Sequence, residues 1–245
     1  MDVQFIGRVS KRNGSAFRER HRPLVIGSSI GHYDITAGTL GCFVRLDKSG
    51  DVRILSNNHV LADENQAEIG DAILQPGRFD GGQRPRDVVG TLDIFVRLRR
   101  RRPNVVDCAL ATVDDVDYEP SRLTGAGRLR GVALDPPAEA ERVEKLGRTT
   151  ARTRGRVTAF ELDDVVVRYD MGNIRFDSVL EIEGAGTNAF SAGGDSGSLI
   201  YTSGERLARG LLFAGNDVGG SNGAGLTYAN PIETVLSSTG TSLLV

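Results

Sequence analysis

The sequence predicts an all-β protein, and three observations carry that prediction. Glycine makes up 31 of its 245 residues, a composition that suits a chain with many tight turns. Its apolar residues fall in short runs, each closed by a cluster of Gly, Asp, Asn or Pro. No apolar run reaches the roughly eighteen residues that a membrane-spanning helix needs. The length allows one large domain or two small ones.

Charge and cysteine content narrow the reading further. A formal charge of −2 gives no argument for nucleic acid or a membrane as partner. Residues Met1 to Arg8 lack the apolar core of a signal peptide. The only cysteines are Cys42 and Cys108, fewer than a secreted enzyme ordinarily carries. The expectation is a reducing compartment, most simply the bacterial cytoplasm, with both thiols buried and inert.

Taken in order, the chain begins with a basic arm over residues 1–23, holding Arg8, Lys11, Arg12, Arg18, Arg20 and Arg22 and closed by Pro23. Its plain reading is a solvated segment; docking to an acidic regulatory partner is the sharper one. Residues 24–118 read as a first β unit. Thr39 to Leu46 is a strand, 47–51 a hairpin loop, and Val52 to Ser56 a return strand ending at Asn57-Asn58-His59. Residues 63–87 are loop-like around one apolar patch, Ala72-Ile73-Leu74. Thr91 to Val96 is a strand, followed by a tip holding Arg97 and Arg99 to Arg102. That tip is either a solvated hairpin end or a partner surface or cleavage site. Asn104 to Val113 is a strand in which alternation turns Asp107 and Cys108 to opposite sides.

Residues 119–142 hold Pro120, Gly125, Gly127, Gly131 and Pro136-Pro137 and read as a linker. Gly125, Gly127 and Gly131 miss the dinucleotide-loop spacing by one position, with no strand before them. Residues 143–245 form a second β unit. A hairpin turn is expected near Arg154-Gly155, and another around Met171-Gly172-Asn173. Arg209 to Ala214 and Gly225 to Tyr228 are strands. Asn230-Pro231 reads as the cap and first residue of a short helix.

The chemistry gathers at Phe190 to Ile200, where Gly193-Gly194-Asp195-Ser196-Gly197 forms a tight turn feeding a strand. The bland reading is one more Gly-Ser turn in a β protein. Two stretches weigh against it: His59 directly after a strand, and Asp107 at the mouth of another. A serine hydroxyl needs a base within reach, imidazole is the side chain poised for that near neutral pH, and a buried carboxylate fixes its tautomer. The order His, Asp, Ser differs from that of α/β-hydrolases and subtilisins. The elbow G-x-S-x-G also fails, since Ser198 stands where its last glycine belongs.

With His59, Asp107 and GGDSG around Ser196, the chain resembles the chymotrypsin-fold (trypsin-like) serine peptidases over about residues 24–240. Residues 143–159 look like the second-barrel opening of bacterial trypsin-like peptidases and of the plant narrow-leaf protein. The resemblance implies two six-stranded antiparallel β-barrels with the site between them, a short C-terminal helix and no cofactor. It implies Ser196 as nucleophile, His59 as base and then acid, Asp107 as orienter, and Gly194 and Ser196 N–H as oxyanion hole. It puts Phe190 at the base of the primary pocket; the plainer reading is that its ring simply packs inward. Phe213, Ala214 and Gly215 become the edge that pairs with a protein or peptide substrate, with Gly215 and Gly225 leaving the pocket walls open and Asp217 at the rim. Asp114, Asp115 and Asp117 are fallbacks for Asp107; His21 and His32 read as structural. No zinc-ligand or Walker spacing occurs.

Two departures stand out. Val60 occupies the position of the family's cysteine after the histidine, so that disulfide cannot form. No clear activation site supplies a new N-terminus to Asp195, Leu24-Val25-Ile26-Gly27 after Arg22-Pro23 being a poor imitation, and the expectation is that other contacts hold it. The alternatives to a serine endopeptidase are a catalytically silent pseudopeptidase that binds extended peptides, and an interaction module built on the arginines.

Overall fold

Two curled antiparallel sheets carry the chain, in a computed structural model that describes residues 16–35 and 37–245. Residues 1–15, and with them Arg8, Lys11 and Arg12 of the arm, lie outside the described residues. The first sheet contains β1 (Ser29–His32), β2 (Gly38–Thr39), β3 (Cys42–Leu46), β4 (Val52–Ser56), β5 (Ala72–Leu74), β6 (Val88–Phe95) and β7 (Ala109–Thr112). Its hydrogen-bonded order is β3-β4-β7-β6-β5-β1-β2. Strands β2 and β3 stand at opposite ends of this order yet are separated only by Leu40 and Gly41, so the sheet curls back on itself. Leu40, Phe43, Ile54, Leu55 and Leu110 fill its interior with no exposure, each such side chain contributing about 1.5–3 kcal/mol by burial. A single helical turn, α1 (Asn58–Leu61), follows β4.

The second sheet contains β8 (Arg142–Gly147), β9 (Ala151–Leu162), β12 (Val179–Gly184), β13 (Leu199–Thr202), β14 (Leu207–Gly215) and β15 (Leu226–Pro231), with β10 (Val165–Tyr169) and β11 (Gly172–Phe176) forming a separate hairpin. The order β14-β13-β8-β9-β12-β15 closes through β14–β15 pairing into a six-stranded barrel. Val143, Leu180, Ile182, Phe190, Ile200 and Leu212 form its core. Helix α2 (Ile232–Thr239) then leads to β16 (Thr241–Leu243), which pairs with β3 of the first sheet. The expected all-β, two-barrel architecture with a short C-terminal helix is therefore present, and the last strand returns to the first half.

Several local expectations give way to tertiary contacts. The hairpin turn expected at Arg154-Gly155 lies at 148–150 instead, and Gly155 pairs with Val143 in mid-strand. A β-carbon on Gly155 would come within 2.7 Å of the Phe190 ring, so this glycine serves packing rather than a turn. The strand expected from Asn104 begins only at Ala109, because the Asp107 backbone bonds side chains instead of a neighbouring strand. Residues 119–142 are not structureless. Leu24–Val25 pairs in parallel with Tyr118–Glu119, Arg122–Leu123 pairs with Gly127–Arg128, and Gly131–Val132 pairs with the start of β14. Pro231 rather than Asn230 precedes α2, without a side-chain cap; the Asn230 amide is engaged elsewhere.

The two halves are clasped by a buried ion pair. Arg148 donates from Nε and Nη2 to the two carboxylate oxygens of Asp80, at 2.5 and 2.8 Å, and Ser29 Oγ donates to Asp80 Oδ2 at 2.6 Å. Both charged side chains are 6 % exposed. Removing one partner strands the other charge. Arg148→Met is expected to lower unfolding free energy in urea by about 3–5 kcal/mol, with part of the loss recovered in the double variant Asp80→Asn/Arg148→Met. A single variant within about 0.5 kcal/mol of the parent would contradict the clasp.

Candidate active site

His59 stands on α1, whose neighbours Asn58, Val60 and Leu61 are buried and fix the turn against the first barrel. Asp107 precedes β7 and is fully buried. Its Oδ2 lies 2.5 Å from His59 Nδ1 and accepts the Tyr169 hydroxyl at 2.6 Å. Its Oδ1 accepts the Asn58 N–H at 2.7 Å and the His59 N–H at 3.4 Å. The backbone is held as well. Asp107 N–H donates to Asn230 Oδ1 at 2.8 Å, and its carbonyl accepts from Asn57 Nδ2 at 2.7 Å. Cys108, on the opposite side, is fully buried in the first core.

This environment sets the protonation states. Burial pulls the His59 imidazole down, but the charge of Asp107, its hydrogen bond and the more distant Glu64 outweigh it, leaving the ring above its ordinary 6.5. Tyr169 is pushed well above 10, by burial first and then by Asp107. It therefore remains a neutral donor to the carboxylate. The Tyr169 ring also meets the His59 ring edge-on at 5.7 Å between centroids. Burial pushes Cys42 up to about 12 and raises Cys108 further; both are free thiols without nucleophilic character.

Ser196 comes from the loop between β12 and β13. Its turn is fixed carbonyl by carbonyl. Gly193 O accepts from Thr149 Oγ1 at 2.8 Å, Gly194 O from Thr39 Oγ1 at 3.0 Å, and Ser196 O from Thr39 N at 2.8 Å. A trans peptide points its N–H opposite its C=O, so the Gly194 N–H faces away from Thr149. Among the described residues, neither Gly194 N–H nor Ser196 N–H has an acceptor. Gly194 adopts φ +91°, where a side chain is strained and would also meet Arg148 and Thr149.

The Asp195 carboxylate is fully buried beneath this turn. It accepts Thr149 N at 2.8 Å, Thr150 N at 3.2 Å, Thr150 Oγ1 at 2.7 Å and Ala192 N at 3.0 Å. The equally buried Lys145 ammonium lies 3.2 Å away. Burial draws Lys145 below its ordinary value and Asp195 partly restores it. These are the other contacts expected to hold Asp195.

His59 and Ser196 line one cavity of about 280 Å³, with Tyr169, Ser191, Phe213 and Ala214 among its other walls. Gly215 and Asp217 also border it. Among the described residues no hydrogen bond joins Ser196 Oγ to His59 Nε2; contacts of this kind tighten when a substrate is seated. Phe190, expected at the pocket base, instead packs into the second core at 1 % exposure. Its carbonyl is fixed by Thr153 Oγ1, and Ser191 borders the cavity instead, its hydroxyl bonding Thr227 Oγ1 at 2.7 Å. Gly225 is not on the cavity wall; at φ +93° it lies against the Asn216 carbonyl. Asp114, Asp115 and Asp117 take no part, His32 pairs with Asp71, and His21 Nε2 meets the Ala16 carbonyl. A larger cavity of about 590 Å³ lies among Arg142, Arg154, Arg156 and Glu183 and contains none of this chemistry.

Sequence reasoning missed Tyr169, Asn230, Lys145 and Thr39. Only Lys145 carried a usable signal, since strand alternation puts it on the same face as the apolar Val143. The others act across the seam between the sheets, which no local pattern encodes.

No sequence-family model and no curated protein sequence matches this chain. Solved structures do. Thermobifida fusca protease A is 18 % identical, with a TM-score of 0.59 over 90 % of this chain and 98 % of that one. Nocardiopsis protease is 16 % identical, with a TM-score of 0.60 over 90 % and 98 %. A glutamic acid-specific serine protease is 21 % identical, with a TM-score of 0.61 over 90 % and 100 %. These likenesses establish the chymotrypsin-like two-barrel fold.

The raised His59 value means that the folded state favours the imidazolium. That stabilisation is fully present below 6.5 and is lost as pH rises through the folded value. The His59 ring is expected to titrate above 6.5 by NMR, and to fall toward or below it in Asp107→Asn. An unchanged titration in that variant would show that Asp107 does not govern the ring.

Proposed function

We propose that this chain is a serine endopeptidase that cleaves peptide bonds through an acyl-enzyme on Ser196. The reading rests above all on the buried Asp107 carboxylate 2.5 Å from His59 Nδ1, with His59 and Ser196 sharing one cavity. The two-barrel fold shared with bacterial serine proteases supports it. The likeness to the plant narrow-leaf protein rests on residues 143–159 of the sequence alone. Two buried free thiols fit a reducing compartment as its place of work.

The steps follow from the geometry. Asp107 and the Asn58 and Tyr169 donors hold the ring so that Nδ1 keeps its proton and Nε2 is free to act as base. Ser196 Oγ attacks the substrate carbonyl carbon as His59 Nε2 takes its proton. The oxygen becomes an oxyanion, which the unpaired N–H groups of Gly194 and Ser196 can receive; one such donor is typically worth about 3–4 kcal/mol of barrier. The C–N bond then breaks, His59 returns the proton to the leaving amine, and water repeats the sequence to release the acid. Tyr169 touches no reacting atom. It is a positioning residue that shares the carboxylate's charge.

The absent hydrogen bond between Ser196 and His59 is the one observation that favours a silent, peptide-binding relative. Hydrolysis of a fluorogenic peptide library separates the two. Cleavage should occur, and should fall on the order of a million-fold in Ser196→Ala. Loss under about tenfold would mean another nucleophile, and no cleavage by a folded sample would favour the binder. Since His59 must be neutral to act as base, kcat/KM should fall on the acid side with an inflection above 6.5.

Tyr169→Phe removes a neutral donor and leaves more negative charge facing His59. The expected outcome is a kcat lower by about tenfold, or ~1.4 kcal/mol, with KM little changed. The acid limb should also move to higher pH. An unmoved limb and unchanged kcat would assign Tyr169 a packing role only.

A further inference from the structure

We infer that the arginine tip is a substrate subsite, and that the substrates it selects carry acidic side chains a few residues upstream of the scissile bond. This inference deepens the proposed peptidase reading and rests on it for the direction of the bound chain. The charges come from Arg99, Arg100, Arg101 and Arg102, with Arg168 on the facing hairpin. All five are exposed, and none has a carboxylate within ion-pair distance among the described residues. Arginines elsewhere are commonly matched, as in Arg53–Asp93, Arg156–Glu183 and Arg209–Glu141. Unmatched cations gathered on one rim of a chain with net charge −2 make a local field that attracts anions.

The tip is held firmly and lies beside the cleft. Asn104 Nδ2 donates to the carbonyls of Arg99, Arg102 and Arg175, and Asn104 Oδ1 accepts the Arg99 N–H. Leu98, next to the run, packs in one apolar cluster with Tyr169 and Phe213, and both of those line the catalytic cavity. A β-carbon on Gly172 would lie 3.3 Å from Arg100 Nε, so that guanidinium rests against the turn of the β10–β11 hairpin. Arg168 itself borders the cavity.

The end of β14 offers an extended peptide an open edge beside Ser196. Strand β14 pairs with β13 only as far as Leu211, and with β15 as far as Gly215. The Phe213–Gly215 edge facing the cleft is therefore unpaired among the described residues and suits strand addition. The acyl portion of a substrate seated there leads away from Ser196, past Tyr169 and Leu98, to the arginines. Asp164 and Asp177 at the base of the facing hairpin are matched by Arg175, which leaves three other carboxylates near the rim. Glu64 is occupied by the Asp170 and Met171 N–H groups, at 3.0 and 2.8 Å. Asp170 is exposed on the hairpin turn, and Asp217 borders the cavity beyond Gly215. Five cations against these three leave the upstream rim positive. Continuity with the peptide edge favours a polypeptide over a nucleic acid as the occupant.

The test uses two fluorescent peptides, identical except that upstream Glu residues in one are Gln in the other. Their binding to the Ser196→Ala protein is read by anisotropy, so that it does not depend on turnover. The acidic peptide is expected to bind about tenfold tighter at low salt, and the advantage to shrink toward parity near about 0.5 M salt. It should vanish in the variant Arg99→Gln/Arg100→Gln/Arg101→Gln/Arg102→Gln, whose thermal midpoint confirms folding. Equal binding of the two peptides, a preference that survives the quadruple change, or tighter binding of a duplex oligonucleotide of equal charge would each overturn the inference. Cleavage of both peptides by the unaltered protein is read separately. Binding preference without cleavage sinks the catalytic reading alone; cleavage without preference sinks this one alone.

Discussion

The structure depends on one buried carboxylate. Asp107 has no exposure, and a charge in that position is tolerable only when its oxygens are hydrogen-bonded. The bonds come from both halves of the molecule: His59 and Asn58 from the first, Tyr169 from the second, with Asn230 of the second holding the Asp107 backbone. The two sheets cannot separate without stranding it. The requirement that stabilises the seam also orients the imidazole, so architecture and chemistry share a single constraint.

The same logic applies beneath Ser196. Asp195 is buried with Lys145, and its oxygens take four donors from the Thr149–Thr150 turn and Ala192. Thr39, from the first sheet, binds the carbonyls of Gly194 and Ser196. Close approach is what the glycines permit: a β-carbon on Gly197 would lie 2.2 Å from Ser56 Oγ and 2.3 Å from the Thr39 carbonyl. The Ser196 turn is thus built by the whole seam rather than by its own loop. Preorganised donors of this kind need no rearrangement when charge develops.

Local chemistry in the sequence was legible and long-range chemistry was not. The β class followed from glycines and short apolar runs. The placement of His59 directly after a strand followed from the run Val52 to Ser56 and the Asn57-Asn58 that closes it. The two barrels and the order of His59, Asp107 and Ser196 became readable through family resemblance. What failed were signals with two meanings. Gly155 looked like a turn and is a packing glycine under Phe190. Asn230 looked like a helix cap, and its amide oxygen instead accepts from Asp107. Phe190 reads as a pocket floor, yet its ring packs into the second core over Gly155. Tyr169 sits in an ordinary hairpin and matters only because that hairpin folds over Asp107.

If Asp107 is the constraint that makes Ser196 reactive, its removal should silence a serine it never touches. The direct measurement is the rate of covalent labelling by a fluorophosphonate, with the modified residue located by mass spectrometry. The account predicts labelling at Ser196, slowed by about a thousandfold or more in Asp107→Asn with the fold intact. Labelling at another residue, or an unchanged rate at Ser196 in that variant, would contradict it.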